Sequence, residues 1–144
     1  MALFSLQLLD SDLALARGDA AGGAEIVERA PGVAVLEDDR VLCGQDALAR
    51  MRLRPLFAHT QHWRELATSA LPRPTRAAGT PADLAFAQLE ALLAGHKAGI
   101  DGLLLAVPAG YTREQLGLLL GICNETGLEV RGLVDAGVAA SALD

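Results

Sequence analysis

Apolar and polar positions divide the chain into two unlike halves. Leu3 to Leu9 is a short apolar run, Asp10-Ser11-Asp12 is turn chemistry, and Leu13 to Arg17 resumes the run, so the pattern predicts a β-hairpin. A Gly/Ala/Asp loop occupies Gly18 to Gly23, a short strand follows at Glu25 to Glu28, and Pro31-Gly32 breaks the chain again. Val33 to Leu36 and Val41 to Cys43 flank the polar turn Glu37 to Arg40 and predict a second, smaller hairpin. Gly44 opens a helical pattern, with Ala47, Leu48 and Met51 on its apolar side and Pro55 ending it. Leu56 to Gly79 has no clear period, and Leu71 to Gly79 within it reads as a loop or linker.

The second half is more regular. Thr80-Pro81-Ala82-Asp83 is a helix start: Thr80 caps, Pro81 suits the first turn, and Asp83 faces the positive end of the helix dipole. The predicted helix runs to about His96, with an apolar stripe of Ala85, Phe86, Leu89, Leu92 and Leu93. Gly102 to Val107 is a continuous apolar run and predicts a strand buried on both faces. Thr112 to Gln115 forms a capping box, opening a helix whose stripe is Leu116, Leu119, Leu120 and Cys123 and whose stop is Gly127. Leu128 to Val134 is the last strand, and Gly137 to Leu143 a final helical turn or two. Strands alternating with helices require parallel neighbours joined by right-handed crossovers. The expected architecture is therefore α/β, a single domain over residues 1–144, with a mixed sheet of about five strands and helices on both faces.

Composition narrows the function classes. At 144 residues a chain hides roughly two-thirds of its extended surface, enough for a core. With 3% aromatics, that core rests on Leu, Val and Ala. The net charge of −6 argues against a phosphate-backbone reader, and the only dense basic cluster is Arg50, Arg52 and Arg54. No apolar run reaches the length of a membrane span, and the start lacks the basic region of a signal peptide, so the expected location is the cytoplasm. Cys43 and Cys123 stand far apart and read as buried, reduced thiols.

Four stretches carry a resemblance. Asp101-Gly102-Leu103-Leu104-Leu105-Ala106-Val107-Pro108-Ala109 resembles the DnaK-type stretch D-A-V-I-T-V-P-A. Thr126 to Leu143 resembles A-G-L-x-V-x-R-I-I-N-E-P-T-A-A-A-L-A, in register from Val130 onward. Ala30 to Val35 resembles x-P-S-V-V-A, and Asp39 to Ala47 resembles G-E-R-L-V-G-E-A-A. The set is in the right order and covers about half the chain. It resembles the N-terminal lobe of the actin/DnaK ATPase superfamily, whose topology is ribonuclease-H-like. The resemblance implies a nucleotide-binding lobe of a chaperone-type protein, with Mg-ATP as cofactor of a full-length protein and none for this chain alone. It implies a second lobe or other proteins as partners, and neither nucleic acid nor membrane. An isolated lobe exposes an apolar face, so self-association is expected.

The same resemblance assigns the site residues. The family's D-x-G-T-T/S phosphate loop falls on Asp10, Ser11 and Asp12, where no glycine is present and two carboxylates stand in the way of phosphate. The loop reads as degenerate, and activity is not expected of this chain. The family's catalytic Glu maps to Asp135, a shorter carboxylate. Two alternatives follow: a non-catalytic, actin-like interaction or assembly module, and a metal-dependent nuclease in which Asp10, Asp12 and Asp135 hold a cation. Against the latter, Asp10 and Asp12 suit a turn and Asp135 a helix cap. His59 and His62, spaced i, i+3 beside Trp63, lack further metal ligands and read as partly exposed surface residues.

Overall fold

The computed structural model describes residues 3–18 and 23–135, the last of these by its backbone. Eight strands and three α-helices follow one another: β1 (Leu3–Leu9), β2 (Asp12–Gly18), β3 (Ala24–Ala30), β4 (Ala34–Leu36), β5 (Val41–Cys43), α1 (Gln45–Arg50), β6 (Ala58–His59), α2 (Pro81–Leu93), β7 (Gly102–Val107), α3 (Arg113–Glu125) and β8 (Val130–Asp135). The main sheet has five strands in the order β3-β2-β1-β7-β8. β1, β2 and β3 form an antiparallel meander, while β1, β7 and β8 run parallel. Only β2 therefore opposes the common direction.

Alternation along these strands sets the core. Phe4, Leu6 and Leu8 of β1, Leu13 and Leu15 of β2, and Leu103, Leu105 and Val107 of β7 point to one face. There they meet Ala85, Leu89, Leu92 and Leu93 of α2, and Leu119, Ile122 and Cys123 of α3. Each fully buried leucine contributes about 2 kcal/mol. The cap predicted at Thr80 and the capping box predicted at Thr112 to Gln115 are both formed, and Asp83, expected only to face the helix dipole, closes a second box with Thr80. Gly127 ends α3 with φ of 81°, a backbone state that costs glycine little.

Both long helices lie on the same face, because their apolar stripes converge in one cluster. The expectation of helices on both faces is thus corrected for the described residues. The predicted turns at 137–143 lie outside them. On the other face Ile26 of β3, Leu104 of β7 and Val134 of β8 are 50%, 37% and 51% exposed. Of the continuous apolar run of β7, five of six residues are buried, Ala106 on this second face among them, and Leu104 is the exception. Two helix assignments change for the same reason: Phe86 and Leu120 face outward, and Ile122 takes the inward place on α3.

A small sheet, in the order β5-β4-β6, stands beside the main one. Its central strand β4 is wholly buried. Ala34 and Leu36 pack on Leu84 of α2 with Leu71 and Ala78, while Val33 and Val35 pack on Ala47 of α1. β6 was not legible as a strand, since two residues carry no period. The 71–79 loop is closed by the Leu71 amide donating to the Gly79 carbonyl, 2.8 Å.

Candidate functional site

In the main sheet the connections from β1 run towards β2 and β3, and those from β7 run towards β8. The order reverses between the parallel strands β1 and β7. In open α/β sheets, a crevice forms beyond the carboxyl ends of strands at such a switch point. Here a cavity of about 350 Å³ lies at that place, lined by Leu9 at the end of β1, Asp10 and Ser11 after it, Pro108 and Ala109 after β7, and Arg64.

Asp10 is already engaged inside this crevice. Its Oδ1 accepts from the Trp63 amide and its Oδ2 from the Arg64 amide, both at 3.1 Å. Its carbonyl accepts from the Gly32 amide at 2.9 Å. The carboxylate thus caps the turn at 62–65, as a side chain caps a helix start. Burial raises its pKa above the ordinary 3.8, and the two amides and the Arg64 charge only partly oppose this. The Tyr111 hydroxyl donates to the Trp63 carbonyl, and Gln115 Nε2 to the carbonyls of Arg64 and Leu66. One short segment is therefore tied to the β1–β2 turn and to α3.

The four predicted site residues part company. Ser11 lines the crevice and is exposed. Asp12 leaves the hairpin on the opposite face from Asp10, by alternation, and pairs with Arg29 at 3.2 Å. Asp135 ends β8 in register with Val107, so its backbone reaches the same end of the sheet, two strands away from β1. Among the described residues no three His, Cys, Asp or Glu side chains form a cation cage. The crevice offers a guanidinium and a hydroxyl to an anion, against the charge of Asp10.

Arg64 escaped sequence reading because only the distant β1–β2 turn makes it part of a site. Gln88 did leave a signal, a polar residue on the α2 face that carries Ala85, Leu89 and Leu92. Its Oε1 accepts from Trp63 Nε1 at 2.9 Å and meets His62 Nε2 at 2.7 Å, and its Nε2 donates to the Pro31 carbonyl at 2.8 Å. His62 is 3% exposed, which corrects its reading as a surface residue; His59 is half-buried.

Removing the Asp10 carboxylate should cost about 1–2 kcal/mol, as other capping side chains do. Urea denaturation of Asp10→Ala measures this, and an unchanged midpoint would contradict the capping role. His62 predicts an acid effect. Burial pushes its pKa down to about 4 from 6.5, although the Gln88 contact favours the charged ring. The unfolded chain therefore binds the extra proton between those values. Stability should fall as pH drops through that window, by at most about 1.4 kcal/mol per pH unit. His62→Gln should flatten this slope in denaturation curves taken across the window.

Cys43 and Cys123 are both pushed up to about 11 by burial, so neither is a ready nucleophile. No helix among the described residues is long and apolar enough to cross a membrane. Compared with known proteins, the chain matches no protein-family model and none of the curated proteins.

Proposed function

We propose that this chain is the first lobe of an actin/DnaK-type protein in which ATP hydrolysis has been lost, leaving a lobe that works in protein assembly. The strand order with β2 alone reversed, and helices leading into and out of β7, supports the ribonuclease-H-like reading. Within the described residues, the family-like stretches coincide with β7 and its following turn, with β8, with the β3–β4 connection, and with β5 and the start of α1, which supports the reading.

The observation that carries the functional half is the state of Asp10. A phosphate loop presents free backbone amides to the ligand. Here the switch-point turn presents a carboxylate, and that carboxylate is filled by the amides of Trp63 and Arg64. The exposed side chains of Ile26, Leu104 and Val134 on the second sheet face favour a protein neighbour, either a second lobe or another copy. The nuclease alternative has less support, because Asp10 and Asp12 point to opposite faces.

Phosphate release from Mg-ATP by the purified protein tests the reading. The expected result is a rate no higher than buffer. Turnover that disappears in Arg64→Ala would overturn it.

A further inference from the structure

The dense basic cluster Arg50, Arg52 and Arg54 has no part in the switch-point crevice. It lies on the short stretch that runs from α1 through the 3-10 turn Pro55–Phe57. Backbone hydrogen bonds fold this stretch tightly: the Leu53 and Arg54 amides donate to the Arg50 carbonyl, and the Phe57 amide donates to the Arg54 carbonyl. Its inward places are already filled. Ala47 and Met51 pack with Val33 and Val35, and Phe57 packs with the cluster of Ala34 and Leu36. Leu48, Leu53 and Leu56 are left facing outward. Leu53 and Leu56 are 72% and 65% exposed, more than any other large apolar side chain among the described residues. A single exposed leucine is ordinary, but three within nine residues, around the densest positive charge of an acidic chain, form a patch.

The charge on this patch is oriented. Arg54 Nε donates to the Leu36 carbonyl at 3.1 Å, and the guanidinium carbon stands 4.4 Å from the centre of the Phe57 ring. Both contacts fix the plane of the fork and leave its Nη groups for a carboxylate. Arg54 opens on a groove of about 540 Å³ that Arg40 and Arg76 also line. Glu37 takes up Arg40 at 2.7 Å and Arg50 at 3.2 Å. Arg52, Arg54 and Arg76 form no ion pair among the described residues. Asp38 and Asp39 line the same groove, and the chain carries a net charge of −6. Both oppose a uniform polyanion, whether nucleic acid or an anionic bilayer.

We propose that the surface from Leu48 to Leu56, with Arg76, docks a protein segment in which acidic and large apolar side chains are interspersed. The carboxylates of that segment meet Arg52, Arg54 and Arg76, and its apolar side chains cover Leu53 and Leu56. Arginine beside apolar anchors is the composition of protein interfaces. The inference goes beyond the actin-type reading and uses no residue of the crevice, so ATP turnover and docking can fail separately.

Random peptides displayed on phage and selected against the full chain test this. The selected sequences should combine acidic residues with leucine or aromatic ones. A synthetic copy of the strongest, labelled with fluorescein, should bind less tightly as salt rises. The double change Leu53→Ser and Leu56→Ser should weaken it by about tenfold or more, and so should Arg52→Glu with Arg76→Glu. All four side chains are exposed, so circular dichroism and the melting temperature should match the parent. Ile26→Ser, at an exposed apolar position of the main sheet, should leave binding unchanged. Selection of no peptide, or of basic or uniformly acidic ones, would overturn the proposal. So would equal affinity in the leucine double variant, or binding of phosphatidylserine vesicles through the same residues.

Discussion

Trp63→Ala should destabilise the protein by about 5 kcal/mol, the upper range for emptying a buried aromatic site. The indole is fully buried in the main cluster and sits between the sheet and α2. Its loss opens a cavity and deprives Gln88 Oε1 of one donor, leaving His62 alone on that oxygen. Trp63→Phe should cost less, about 2 kcal/mol, since it keeps most of the volume and loses the N–H. Chemical denaturation followed by circular dichroism measures both, because the variants lack the only tryptophan of the chain. A Trp63→Ala loss below about 2 kcal/mol would mean that the site collapses and that the indole is not central.

Gly32→Ala is expected to cost about 3 kcal/mol or more, although alanine is the smallest change available. A Cβ at this position would fall 2.4 Å from the Asp10 carbonyl oxygen and 2.8 Å from its Cα. These are backbone atoms, so no rotamer can relieve the clash. The Gly32 amide donates to that same carbonyl, and moving either chain breaks the bond. The displacement also pulls Asp10 from the amides of Trp63 and Arg64. Gly32→Ala and Asp10→Ala should therefore combine to less than the sum of their separate losses, as coupled neighbours do. Tryptophan fluorescence during urea unfolding gives all three values. Full additivity would show that Gly32 and Asp10 act independently.

These two positions mark where sequence reasoning reached its limit. The hairpin β1–β2, the β4–β5 hairpin, strand β7, the Thr80 cap and the Thr112 capping box were legible, because each rests on neighbours within a few residues. Thr80 finds Asp83 three positions on, and the alternation of Phe4, Leu6 and Leu8 needs no other element. The turn at Asp10 to Asp12 was also legible as a turn. Its degeneracy as a phosphate loop rested on composition alone, with no glycine and two carboxylates.

What the carboxylates do instead lay beyond local pattern. Asp10 faces amides more than fifty positions away, and Asp12 leaves on the other face. His62 read as a surface residue, since no rule of spacing reveals that Gln88 and Trp63 enclose it. The one-sided stacking of α2 and α3 was equally hidden: each stripe predicts burial, but not which face of the sheet receives it. Local periodicity determines elements because backbone geometry repeats within them. The switch-point crevice, the capped 62–65 turn and the contact of His62 and Trp63 with Gln88 depend on which elements meet, and that is settled by the joint burial of Phe4, Leu6, Trp63, Leu89, Leu105 and Leu119 in one core.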